Sequence, residues 1–253
     1  MEVKKEIEKL KKQLHNSIDV TSRDMMKNDV QVGFVYLKSI TDNLIFSTAI
    51  YDPILKFQGD LKFDNLSQIV KCNDVSVVKE GEVISKILKG SVIILLSNSE
   101  EFLAIDILKF NMRTPSEPPT SPVIMGPREG FTEDLKTNIT LIRRRFYTEQ
   151  LVFEQTTVGE ETQTQVVLAY LNDVADKKIV KEIKKKLSKI KIDGIVDSYY
   201  LLSLLSNRPN SLLKQIGNSE KPDIVAAKML EGRVAVIVDN SPIVLTIPFV
   251  FLE

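Results

Sequence analysis

Apolar residues recur at helical spacing near the start of the chain. Val3, Ile7, Leu10 and Leu14 stand among lysines and glutamates. This predicts an amphipathic N-terminal helix, either packed on the domain or frayed at its surface. Val30–Tyr36 alternates as a strand does. Asp42–Ile50 reads as a helix, with Asp42 near its start and Pro53 shortly past its end. Short helices are predicted at Leu66–Val70 and Lys79–Leu88, the second stopped by Gly90. Val92–Leu96 is a continuous apolar run and reads as a buried strand. Phe102–Leu108 is a second strand, turned back by Asn98-Ser99-Glu100.

The second half is patterned more strongly. Phe131, Leu135, Ile139, Ile142 and Phe146 make one apolar stripe, predicting a helix over Phe131–Tyr147. Glu133 and Asp134 fall in its first turn, and Arg143, Arg144 and Arg145 in its last, as the helix dipole favours. Leu151–Val158 and Gln163–Leu171 are rich in threonine and valine and read as a hairpin about Gly159-Glu160-Glu161. Helices follow at Asp173–Lys189, Tyr199–Leu205 and Pro222–Leu230, the last with proline in its first turn. Val234–Val238 and Ile243–Ile247 are strands joined by Asp239-Asn240-Ser241-Pro242. No internal repeat is visible. The fold class predicted is α+β, with two subdomains that each pack a small sheet with helices.

Proline usage places the boundary between them. Five of the ten prolines, Pro115, Pro118, Pro119, Pro122 and Pro127, crowd into Asn111–Pro127. Such a stretch is extended, because each ring fixes its own φ and restricts the preceding residue. The expected division is an N-terminal helix over 1–25, a first subdomain over 26–112, a proline-rich linker over 113–130 and a second subdomain over 131–253.

Composition acts mainly by exclusion. Lys+Arg and Asp+Glu balance at 34 each, so there is no global pull toward nucleic acid or membrane. Cys72 and His15 are the only residues of their kinds. They cannot form an intrachain disulfide, a zinc site of the usual kind, or more than one nucleophile–base pair. His15 is expected to be a solvent-exposed helix residue near a loose terminus. No enzyme activity, metal or cofactor is implied. Met1–Leu14 lacks the apolar core of a secretory signal, and no run of about 20 apolar residues spans a membrane.

Two features carry candidate chemistry. Gly126-Pro127-Arg128-Glu129-Gly130-Phe131 opens the arginine-tipped helix. A glycine-bounded loop before a helix can hold an anion through free N–H groups, or can simply be a tight turn. No Lys-Ser/Thr follows, so it is not a P-loop. Lysines at 177, 178, 181, 184, 185, 186, 189 and 191 meet little acid. They suit a solvated helix face, or contact with anionic lipid headgroups or nucleic acid. No aromatic residues interleave with them for base stacking.

Several segments fall in an ordered pattern. Arg113, Pro115, Glu117, Pro118 and Pro119 give Arg-x-Pro-x-Glu-Pro-Pro, and residues 126–131 give Gly-Pro-Arg-Glu-Gly-Phe. Glu133, Leu135, Asn138, Leu141, Ile142, Arg143 and Arg145 follow on the helix. Asp193 and, with looser spacing, Asp197-Ser198 come next, then Glu220-Lys221-Pro222-Asp223, then Glu231-Gly232-Arg233-Val234 with Asp239 and Pro242. Together they resemble the A-subunit family of spore germinant receptors (the GerA family). Lys221 stands where that pattern has arginine. The likeness is dense from Arg113 to Pro248 and rests only on layout before that.

The resemblance implies a soluble N-terminal domain of a receptor A subunit in the inner spore membrane, on the cytoplasmic or core side. The chain would be a piece of a longer protein whose membrane spans lie beyond Glu253. Implied partners are receptor B and C subunits, a homo-oligomer of A subunits, and a small nutrient such as an amino acid or sugar, with no nucleic acid. The expected role is germinant sensing and signal transduction in spore germination. The alternative is direct nutrient binding between the subdomains, with Arg128, Glu129, Arg143 and Arg145 as the ligand-binding set. In either case Gly126, Pro127 and Gly130 form a structural joint.

Overall fold

A computed structural model describes residues 2–109, 127–206 and 215–249. The chain divides into two compact units, Met1–Asn111 with Tyr147–Glu149, and Met112–Phe146 with Gln150–Glu253. The proline-rich stretch before Pro127, Gly126 included, lies outside the described residues.

In the first unit, α1 (Val3–Gln13) leads into a hairpin of β1 (Val20–Lys27) and β2 (Val30–Leu37). Then come α2 (Asn43–Ile45), a π-helical segment (Phe46–Tyr51), α3 (Asp52–Lys56), α4 (Phe63–Ile69), β3 (Val75–Val78) and α5 (Glu80–Leu88). A second hairpin, β4 (Ser91–Leu96) and β5 (Phe102–Asp106), closes the unit. The sheet order is β1-β2-β4-β5-β3, with every pair antiparallel. One face packs Val35, Leu37, Ile93 and Leu95 against α1 and α5. The other packs Val32, Phe34, Ile94 and Leu96 against the π-helical segment, α3 and α4.

The second unit runs α6 (Leu135–Arg143), β6 (Leu151–Val158), β7 (Thr164–Leu171), α7 (Lys177–Leu187), α8 (Ser198–Leu205), β8 (Gly217–Ser219), α9 (Pro222–Leu230), β9 (Val234–Val238) and β10 (Val244–Ile247). Its sheet order is β6-β7-β9-β10-β8, again all antiparallel. Phe153, Val167, Ala169 and Ile237 face α6 and α9. Val166, Leu168, Val236 and Leu245 face α7 and α8.

The two units therefore repeat one plan: helix, hairpin, helices on the far face, edge strand, helix, hairpin. No repeat was expected from the sequence, because the shared elements differ in length and polar residues. One local signature does recur. Leu88-Lys89-Gly90-Ser91-Val92 and Leu230-Glu231-Gly232-Arg233-Val234 each end a helix and open a central strand. Gly90 and Gly232 hold φ of 91° and 90°, where a Cβ would be strained.

The α+β class and most elements agree with the pattern of the chain, and four differences have physical causes. β1 escapes the hydrophobic pattern because its outer positions are polar and it pairs on one side only. Its turn, Asn28-Asp29, has positive φ at both residues, the type I′ hairpin geometry. The edge strands β3 and β8 escape because they are only four and three residues long, too short to show a period. Pro53 does not end a helix. The carbonyl of Ala49, four residues earlier, instead accepts a hydrogen bond from Lys71 N at 2.8 Å, and the chain stays helical through a π-type turn. The helix predicted from Phe131 starts at Leu135, because Asp134 caps it by accepting from Thr137 N at 2.8 Å. His15 lies just past α1, half-buried at φ 52°, rather than exposed on a helix.

All four apolar residues of the N-terminal stripe are buried: Val3, Ile7, Leu10 and Leu14. The close approach is at Gly33 of β2, where an added Cβ would stand 2.6 Å from Val3 Cγ1 and 3.0 Å from Ile7 Cδ1. Gly33→Leu should therefore push α1 off the sheet and destabilise the first unit by about 1–3 kcal/mol. Denaturant unfolding measures the loss. Hydrogen exchange should localise it, with faster exchange in the Val3–Gln13 amides than in β4.

Candidate functional site

The best-built polar constellation joins the 127–134 loop to α6 and to two turns of the second unit. Asn138 is fully buried, and its amide meets both backbone groups of one loop residue, Thr132. Its Oδ1 accepts from Thr132 N at 2.8 Å and its Nδ2 donates to Thr132 O at 2.6 Å. Phe131 N donates to Glu220 O at 2.8 Å, and Asn240 N donates to Glu133 O at 2.9 Å. The loop is thus tied to the residue two before α9 and to the β9–β10 turn. In that turn Ser241 Oγ donates to Ser198 Oγ at 3.0 Å, both residues being buried.

The arginines separate into different roles. α6 ends at Arg143, so Arg144 and Arg145 occupy a turn from which neighbouring side chains can converge. Both pair with Glu129, which is only 8% exposed; Arg145 Nη2 lies 2.9 Å from Glu129 Oε2. One carboxylate thus meets two partly buried guanidinium groups, a charge-assisted clamp between loop and helix end. Arg143 points into the core at 2% exposure. It donates to Leu151 O at 3.1 Å, and its guanidinium lies 5.1 Å from the Phe153 ring centroid.

Of the residues proposed from sequence, the structure brings Glu129 and Arg145 together and places Arg143 apart in the core. Arg128 and Pro127 are exposed and Gly130 is buried. Gly126 lies outside the described residues. Sequence reasoning gave no role to Asn138 beyond its place in a pattern, and treated Arg144 only as a helix-end cation. Asn138 could have been found as a polar residue inside an apolar helical stripe. Arg144 could have been found only by knowing where the helix ends.

Two other places hold functional-looking groups. In the first unit, a cleft of ≈ 710 Å³ is lined by Thr48, Asp52, Lys56, Phe57, Gln68 and Lys71 among others. In the second, burial pulls the Lys228 ammonium below the usual lysine range, and the charge of nearby Arg233 adds to this. Among the described residues no group of His, Cys, Asp and Glu could hold a metal ion. Among them, too, no helix is long and apolar enough to cross a membrane.

Comparison with known proteins gives these segments a context. A family model described as Bacillus/Clostridium GerA spore germination protein matches residues 8–253. Spore germination protein KA of Bacillus subtilis (strain 168) is 31% identical over 257 residues, covering 98% of this chain and 47% of that protein. The uncharacterized membrane protein YfkQ of the same organism is 38% identical over 172 residues, covering 68% of this chain and 34% of that protein. The chain spans about half the length, or less, of these curated relatives. The crystal structure of the N-terminal domain of the A subunit of the Bacillus megaterium spore germinant receptor GerK3 superposes with a TM-score of 0.73 at 28% identity. That match covers 98% of this chain and 94% of the other. With the family match running from residue 8 to the last residue, the chain belongs to the GerA family of spore germination proteins.

Proposed function

We propose that this chain forms the N-terminal domain of a germinant receptor A subunit and passes the germinant signal on within the receptor. The observation that carries this reading is the two-way coverage with an A-subunit N-terminal domain: nearly all of each chain matches the other. On this reading the full-length protein sits in the inner spore membrane with B and C subunits and other A subunits. The domain performs no catalysis, and its work is assembly and transmission.

The clamp around Glu129 supports transmission over direct capture of a nutrient carboxylate. A carboxylate ligand needs guanidinium donors that are available, and Glu129 already engages Arg144 and Arg145. Gly130 and the Asn138–Thr132 pair then make the 127–134 segment a stiff joint. A second reading, direct binding of an amino acid or sugar by this domain, is favoured by one observation. The first-unit cleft offers Lys56, Lys71 and Gln68 beside the Phe57 ring, a mix of apolar wall and polar groups suited to a small polar ligand.

Three measurements test these readings. Deleting this domain from the full-length protein should abolish co-purification with the B and C subunits and the loss of optical density that marks germination. Intact assembly and germination after the deletion would refute the proposal. Glu129→Ala should lower the stability of the second unit by about 2 kcal/mol, since two partly buried cations lose their counter-charge. Glu129→Gln, which keeps an acceptor, should cost less, and thermal unfolding would rank the two. For the second reading, calorimetry with amino acids and sugars should give heat that Lys71→Ala removes. No heat at saturating ligand ends that reading.

A further inference from the structure

The lysine run of the second unit is not absorbed by the joint or by the cleft. α7 buries Val180, Ile183 and Leu187 against the sheet. Lys178, Lys181 and Lys185 stand at i, i+3 and i+7, which places them within about 60° of one another on the opposite side of the helix. All three are exposed, and none has an ionic partner among the described residues. Other lysines of the run are engaged: Lys184 pairs with Glu154, and Lys186 with Glu182.

α8 packs beside α7, with Lys186 Nζ donating to Leu205 O and both helices in one core cluster. α8 leaves Tyr199 55%, Tyr200 50% and Leu204 40% exposed. Exposed tyrosines on one helix and a stripe of unpaired lysines on the helix packed beside it are the composition of a membrane-interface surface. Ammonium groups meet anionic headgroups, and amphipathic rings sit at headgroup level. The chain as a whole carries no net charge, so the field of this stripe is local and not a share of a general excess.

We propose that the α7–α8 surface docks on the anionic headgroups of a lipid bilayer. This rests on the reading above, that the chain is part of a membrane receptor. Its test needs neither assembly nor signalling, so the two can fail separately.

The 253-residue chain is mixed with vesicles of about one part phosphatidylglycerol to two parts phosphatidylcholine, and with pure phosphatidylcholine. Sedimentation should show binding to the anionic vesicles alone, weakening as salt is raised. The triple reversal Lys178→Glu, Lys181→Glu, Lys185→Glu should lower partitioning about a hundredfold, at roughly fivefold per lysine. Tyr199→Ser with Tyr200→Ser should lower it several-fold. The same charge change at exposed Lys4, Lys12 and Lys89 of the first unit should leave it near the unmodified level. Circular dichroism checks that each variant folds, and the lipid and salt dependence is read on the unmodified chain. Equal loss from both triple variants, or equal binding to neutral vesicles, overturns the proposal. So does tighter binding to a labelled oligonucleotide than to anionic vesicles, which would assign the stripe to nucleic acid.

Discussion

An antiparallel sheet ordinarily leaves one face to water, and here neither five-stranded sheet does so. α1 and α5 cover one face of the first sheet and the helices between β2 and β3 cover the other. α6 and α9, then α7 and α8, do the same for the second. Most of the architecture follows from that double burial. The central strands must be apolar on both sides, so β4 and β9 are buried at every position. The connections between hairpins carry the chain through the helical layers. Polar chemistry is left to loops, helix ends and the outer faces of helices.

The same constraint explains what the sequence reveals and what it hides. Val92–Leu96 and Val234–Val238 are legible as strands because two-sided burial writes an unbroken apolar run. α7 is legible because one of its faces is solvated and lysine-rich. β1 is hidden because an edge strand satisfies fewer neighbours and tolerates polar residues such as Ser22, Arg23 and Asp24, and β3 and β8 because they are only four and three residues long. The extent of α6 is hidden for another reason. Phe131 and Phe146 both continue the helical stripe, yet Asp134 takes the capping position and the residues on either side leave the helix while keeping their buried side chains.

The repeated plan was invisible for a related cause. A core of this kind asks only for apolar residues of fitting volume, so two units can share a topology without sharing a sequence. What cannot vary freely is backbone geometry. The turn from the last covering helix into the central strand needs a left-handed residue in both units, and glycine stands there twice, at 90 and 232. Five residues, Leu-x-Gly-x-Val, are too few to announce a repeat. They become meaningful once both glycines are seen to sit at the same step of the same plan.

The candidate site was legible as a set of motifs and not as a geometry. The segments at 126–131, 133–145, 220–223 and 239–242 lie far apart in sequence, and each reads singly as a turn or a helix end. Folding brings their described parts onto one loop through backbone bonds from Phe131 and Asn240, the Asn138 amide and the Glu129 carboxylate. Charge is handled differently on the two sides of the second unit's sheet. Where it is buried, around Glu129, it is compensated within the domain and holds the loop in one shape. Where it is exposed, at Lys178, Lys181 and Lys185 of α7, it is left uncompensated among the described residues. A compensated cluster has little attraction left for a partner, whereas an uncompensated stripe keeps its field for whatever approaches. Arg143 and Arg145 are therefore better placed to stiffen the fold than to capture an anion, and the exposed lysines of α7 are better placed to meet another surface.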